Sequence, residues 1–268
     1  MSDEASAEVN AKAPAPRDPT RRFASRVAHY VRWRPGYPRE IVGLLERECR
    51  LGPASVVADI GSGTGLLSRL LLDHGNPLFG VEPNTEMREA GAALLADCPR
   101  FTSVAASAEA TTLAAASIDL IVAGQAFHWF ERVAARGEFV RILRPGGFVA
   151  LIWNERLVDV SPFLREYEQL LCDYSLDYRA VDHRNVDEAV LGAFFAPAGF
   201  RQASFPFRQV FDLDGLRGRT MSASYTPEPG HPRFEPMIDA LTACFVRHAD
   251  GGTVDFDYAT RVFYGRLE

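Results

Sequence analysis

Val56–Gly65 reads VVADIGSGTG, and Leu66–Leu72 follows at once as LLSRLLL. Two valines and an alanine lead into Asp59 and Ile60, and glycine then recurs at every second position, Gly61, Gly63 and Gly65. A strand, a tight turn and a helix N-terminus are therefore expected within one short span. Glycine has no Cβ and accepts positive φ, so the backbone of such a turn can approach a ligand closely. The span reads as a nucleotide-type cofactor site at the carboxyl edge of a parallel sheet.

Spacing narrows the choice. A dinucleotide fingerprint needs glycine at the first, third and sixth positions, and the sixth position from Gly61 is Leu66. A phosphate loop ends in Gly-Lys-Ser/Thr, and the turn holds no lysine. What remains, D-x-G-x-G-x-G, resembles motif I of the class I S-adenosylmethionine-dependent methyltransferases. That resemblance implies an α/β, Rossmann-like, seven-stranded, mostly parallel sheet with its last strand antiparallel and helices on both faces. It implies S-adenosylmethionine as cofactor, with Asp59, Gly61, Ser62, Gly63 and Gly65 in the binding turn.

Pro77–Pro83, PLFGVEP, is a second short apolar strand ending in an acid, Glu82. Glu82 follows Gly61 by about 20 residues, where an α/β nucleotide site places a carboxylate for the ribose hydroxyls. Such a carboxylate accepts two charge-assisted hydrogen bonds and repels a 2′-phosphate. Pro83 and Met87 are expected to flank the adenine or ribose. Phe101–Ala105 reads as strand three, followed by Ser107-Ala108-Glu109. Many methyltransferases have an aspartate at the position of Ser107. The adenine is therefore expected to meet backbone groups around Ser107 and Ala108, with Glu109 orienting the loop.

Strand four, Ser117–Gly124, runs into Gln125-Ala126-Phe127-His128-Trp129-Phe130. QAFHWF, together with RPGYP at residues 34–38, resembles the type 11, trans-aconitate methyltransferase-like subgroup. In the class I fold the end of strand four borders the transferable methyl. The resemblance puts Gln125 beside the cofactor and Phe127, Trp129, Trp33 and Tyr37 beside a methyl acceptor. Electron-rich rings also tolerate a sulfonium cation well. His128 has two readings, a general base for a hydroxyl or amine acceptor or a packed, hydrogen-bonded ring. A carboxylate acceptor needs no base near neutral pH. An arginine would then hold it, and Arg156, Arg34 and Arg219 are the candidates. Tyr30 and Arg34, in the aromatic N-terminal segment, are expected to bind the cofactor's methionine carboxylate or to pack the cap.

The 268 residues are 47% hydrophobic, with a net charge of −6, enough for one large α/β domain. An acidic chain has no general drive toward nucleic acid or anionic membrane. No apolar run reaches the roughly 18 residues of a membrane span, and the start MSDEASAEVN lacks a secretory pattern. Cys49, Cys98, Cys172 and Cys244 are far apart with no zinc spacing, as for reduced thiols of a cytoplasmic protein. No metal is expected. The chain divides into a disordered tail (1–19) and a single domain. Within that domain an N-terminal cap (20–50) precedes a cofactor core (51–153), a lid-like insertion with a helix (154–198) and the rest of the sheet (199–268). The expected activity is methyl transfer to an oxygen, nitrogen or carboxylate of a small molecule. The alternative is a cofactor-binding regulator or partner subunit without transfer. GQAF stands where a nucleic-acid or protein amino-methylating enzyme carries an NPPY-type tetrapeptide, and Tyr-x-x-x-Lys of a dehydrogenase is absent.

Overall fold

A computed structural model describes residues 32–178 and 186–268. The helix expected over 23–30, Tyr30 with it, and the stretch 179–185 lie outside the described residues. The central strands form where apolar residues run without interruption. β1 (Val57–Ile60) is buried at every position and pairs in parallel with β2 (Leu78–Val81) and β4 (Ile118–Gly124). β3 (Phe101–Val104) adds to β2, and β5 (Leu143–Arg156) to β4, both in parallel. β7 (Val254–Gly265) lies antiparallel between β5 and β6 (Phe200–Phe211), giving the order β3-β2-β1-β4-β5-β7-β6. β6 is an edge, and from Ala203 to Val210 its residues alternate between half-buried and exposed, as a strand with one face in water must.

Successive side chains of a strand point to opposite faces, and the core divides accordingly. Val57, Leu120, Ala150 and Val262 pack with α1 (Glu40–Cys49) and α2 (Leu66–His74) through Ile41, Leu45, Leu67 and Leu71. Their neighbours Ala58, Ile121, Leu151 and Phe263 face the other way. They meet Phe139 of α4 (Arg132–Ile142) and Phe194 of α6 (Glu188–Phe194). α3 (Thr85–Leu94) connects β2 to β3, with Asn84 as its N-cap accepting from the Met87 amide.

The turn expected at Arg144–Gly147 is present as a loop-out inside β5. Leu143 pairs with Ile118 and Phe148 with Leu120, so four residues stand against Asp119 alone. Gly146, at φ +82°, takes the bend. Asp119 holds the irregularity by accepting from the Val56 amide at 2.7 Å and from Arg144 at 2.6 Å.

The β6–β7 hairpin continues past Arg156, where β5 ends. Its extension carries a third core cluster with α5 (Pro162–Tyr174), α7 (Leu213–Met221) and α8 (Phe234–His248), built on Tyr167, Leu216, Leu241, Phe256 and Tyr258. The chain order reverses between β1 and β4. In an open α/β sheet the carboxyl ends of two such strands diverge and leave a crevice.

Candidate active site

The glycine turn opens that crevice. Gly61 and Gly65 sit at φ +71° and +83°, where an L side chain is strained. A Cβ on Gly61 would stand 2.5 Å from the Ala126 Cβ, and one on Gly65 2.7 Å from Leu95. Gly61 thus lets β1 meet the end of β4, and Gly65 lets α2 start against the end of α3. The Gly63 amide donates to Glu82 Oε2 at 2.9 Å, and the Asn84 amide donates to Oε1 at 2.8 Å. Bonds of this charged kind contribute about 1.5–3 kcal/mol each, and together they fix the carboxylate in one orientation.

Gln125, the first residue after β4, also has a left-handed backbone, φ +56°. A non-glycine residue there is held by its surroundings. Its amide donates to the Ile152 carbonyl at 2.8 Å and its side-chain Nε2 to the Asn154 carbonyl at 3.0 Å.

Two adjoining cavities share Gly61, Gly63, Gly124 and Gln125 and so form one cleft. The larger, about 250 Å³, is walled by Glu82, Pro83, Asn84 and Met87 on the β2 side. Ser107, Ala108 and Glu109 close the β3 side, and Ala126, Trp129 and Phe130 lie beyond β4. The smaller, about 30 Å³, is walled by Arg34, Pro35, Tyr37, Asp59, Ser62, Thr64 and Asn154. Burial pushes the Glu82 carboxyl up, against the pull of its two backbone donors. Burial, with the nearby Glu82 charge, pushes Asp59 up to about 7 despite the Ser68 hydroxyl donating at 2.6 Å. Asp59 Oδ1 is buried and has no donor.

Residues 58–151, about a third of the chain, match the methyltransferase-domain family. A methyltransferase-like protein of Schizosaccharomyces pombe is 27% identical over 250 residues, covering 92% of this chain and 95% of that one. A Mycobacterium tuberculosis methyltransferase is 37% identical over 142 residues, 52% of this chain and only 55% of its own length. Among solved structures, a protein of Anaeromyxobacter dehalogenans assigned as a type II methyltransferase superposes with a TM-score of 0.62 at 23% identity. That alignment covers 87% of this chain and 97% of the other. Residues 58–151 form the methyltransferase domain of an S-adenosylmethionine-dependent enzyme.

The cofactor of this methyltransferase is S-adenosylmethionine, and the residues present fit it. The turn offers no lysine and the cleft three carboxylates, Asp59, Glu82 and Glu109, which suits a cationic ligand with hydroxyl groups rather than a phosphate. Asp59 Oδ1 lacks a donor on the same small cavity that Arg34 lines, which suits an ammonium and a carboxylate on one amino-acid head. Glu82 has both oxygens anchored and still lines the larger cavity.

Several expected site residues stand elsewhere. Phe127 is a correction. It is fully buried, with rings of Phe194, Phe130 and Trp153 edge-on at 4.7, 5.9 and 6.2 Å. The single 3₁₀ turn Phe127–Trp129 sends Phe127 into the core while Trp129 lines the cleft. Gly65 lines neither cavity and serves the helix start. His128 lines neither cavity, and its ring lies tilted against Trp129 at 4.9 Å. Trp33 packs edge-on against Phe211 at 6.4 Å and lies over α7, where a Cβ on Gly218 would be 2.1 Å from its Nε1. Arg34 donates to the Ser222 carbonyl just after α7 at 3.0 Å. Sequence reasoning missed Asn84, Thr64 and Asn154, and gave Glu109 only the loop. Glu109 does hold the loop, accepting from the Glu131 amide at 2.9 Å, and it also lines the cleft.

Arg156 and Arg219 meet in the third cluster. Arg156 lies over the rings of Tyr167 and Phe256 at 5.0 and 5.9 Å, and Arg219 over Phe256 at 5.6 Å. Arg156 donates to Glu168 and to the Tyr178 hydroxyl, which in turn donates to Glu168 at 2.7 Å. Arg219, 6% exposed, donates to the Tyr258 hydroxyl at 3.0 Å and forms no ion pair with a described carboxylate. The NH1 group of each arginine is buried with no acceptor.

Proposed function

We propose that this methyltransferase acts on a small organic acid and transfers the methyl group to one of its carboxylate oxygens. One observation carries the reading: two buried guanidiniums share the Phe256 ring, one glutamate accompanies them, and each keeps a buried NH1 without an acceptor. Burying an ion without compensation costs several kcal/mol, so this arrangement calls for an anion. A small ligand suits it, because the cluster is enclosed by α5, α7 and the hairpin.

S-adenosylmethionine supplies a methyl group on a sulfonium, which moves in line to the acceptor oxygen. The chain's task is positioning and exclusion of water. Glu82 holds the ribose, Asp59 and Arg34 the amino-acid head, and Pro83, Met87, Ser107 and Ala108 the adenine. Gln125 and Trp129 wall the space between the cofactor and the acceptor, and Tyr37 closes the cleft. Arg219, with Arg156, binds the acid and turns it toward the end of β4. The acid is already ionised near neutral pH, so His128 is not required as a base. α5, in the segment expected as a lid, acts as a cover over the acceptor. The four thiols, all free of disulfides, support a reducing, cytoplasmic setting.

The test is methyl release measured across a panel of mono-, di- and tricarboxylic acids, phenols, amines and transfer RNA. Turnover on acids, with an acceptor KM raised roughly tenfold or more in Arg219→Gln and unchanged cofactor affinity, supports the reading. Turnover confined to phenols, amines or RNA overturns it. Cofactor binding without release on any acceptor favours a regulatory role.

A further inference from the structure

Outside the cleft, one cluster of metal-ligating side chains among the described residues converges from two helices. Cys244 and His248 are four residues apart on α8 and so share a face. Glu166 reaches the same point from α5, and the ligand atoms of the three residues lie within 4.8 Å of one another. Glu166 Oε2 is 2.7 Å from His248 Nε2. Arg247 donates to the other oxygen, Oε1, which leaves Oε2 as the atom turned toward the imidazole.

We propose that Glu166, Cys244 and His248 bind a zinc ion that joins α5 to α8. A thiolate, an imidazole and a carboxylate are the mixed soft and borderline donors that zinc accepts, whereas magnesium and calcium want oxygen alone. Bond lengths of about 2.0–2.3 Å in a tetrahedron place ligand atoms roughly 3.3–3.6 Å apart. The 2.7 Å contact then opens by roughly 0.6 Å and the longest separation closes by at most about 1.5 Å, within reach of rotamer adjustment. Cys244 is buried, while the Glu166 and His248 side chains are 34% and 18% exposed. The ion therefore sits at the surface end of the cluster with its fourth position open to water. Arg247 orients the carboxylate from behind, as an outer-shell group does. Without an ion the Cys244 thiol bonds to the Glu166 carboxylate, and zinc would take the place of the thiol proton at the point where the three ligand atoms meet.

The experiment uses the full chain, freed of metal, and titrates zinc against a chromophoric chelator. One zinc per chain is expected. Affinity should fall roughly tenfold or more in Cys244→Ser, His248→Asn and Glu166→Gln, since even outer-shell changes cost that much. Cys98→Ser, remote from the cluster, should bind as the parent does. Cobalt(II) supplies a second readout independent of stability: the parent should show a thiolate-to-cobalt charge-transfer band that Cys244→Ser lacks. Zinc should also raise the melting temperature of the parent and not of the three variants. No stoichiometric zinc, or zinc held equally by Cys244→Ser and His248→Asn, or cobalt bound without the sulfur band, overturns the site.

Discussion

Asp59 shows how one side chain converts burial into a binding property. Its carboxyl is pushed up to about 7 by burial and by the neighbouring Glu82. An acid whose folded pKa is raised contributes stability at low pH, and that contribution is lost as pH rises from the ordinary carboxylate range through about 7. The ligand-free protein should therefore melt lower as pH climbs through that window, and Asp59→Asn should flatten the trend in a thermal scan. Ligand affinity should move the opposite way. An ammonium placed on Asp59 favours the ionised form, so S-adenosylhomocysteine should bind more tightly between about pH 6 and pH 8, by at most about tenfold per unit. Calorimetry in two buffers of different ionisation enthalpy would detect the released proton, and Asp59→Asn should release none. His128 carries the contrasting expectation. With a carboxylate acceptor, His128→Ala should keep its turnover, and the kcat profile from about pH 6 to pH 9 should show no loss of a basic limb. A variant that falls by orders of magnitude and loses that limb would return His128 to the role of base.

At the scale of elements, the segment Arg32–Pro38 links the cleft to α7. Trp33 rests on Gly218, Arg34 bonds to the Ser222 carbonyl, and Arg34, Pro35 and Tyr37 wall the smaller cavity. Gly218→Ala places a methyl 2.1 Å from the indole nitrogen, which the packed ring cannot accept without moving. Overpacking of this kind costs about 1–3 kcal/mol. Cofactor affinity should fall by roughly tenfold while the far-ultraviolet circular dichroism of the folded chain is kept. An unchanged affinity would show that the segment does not depend on its seat on α7. This seat was not legible from the chain, because Gly218 reads as an ordinary helical residue until Trp33 is laid over it. Phe127 was misread for a related reason. Three aromatics in QAFHWF look alike in sequence, and only a one-turn 3₁₀ helix decides which faces the core. The glycine turn and Glu82 were legible because each is bound by a local rule: positive φ at Gly61 and Gly65, and a carboxylate at the end of the next strand.

For the molecule as a whole, the central sheet could be read in advance because its strands are short continuous apolar runs, as strands covered on both faces must be. Val57 and Ala58, or Leu120 and Ile121, go to opposite layers simply by being adjacent. The third cluster could not be. Its arginines, Arg156 and Arg219, come from β5 and α7, and nothing local announces that both will lie over Phe256. The same packing has a thermodynamic consequence. The segment carrying Trp33 and Arg34 touches the cofactor cleft on one side and, on the other, the helix that holds Arg219. A ligand on either side that steadies this segment lessens the ordering cost left for the other. Acceptor and cofactor are then heterotropically coupled, and linkage requires the factor to be the same in both directions. Titrating S-adenosylhomocysteine with and without saturating acid, and the acid with and without S-adenosylhomocysteine, should close a square with equal ratios. In Gly218→Ala, which frees the shared segment, both ratios should collapse toward one.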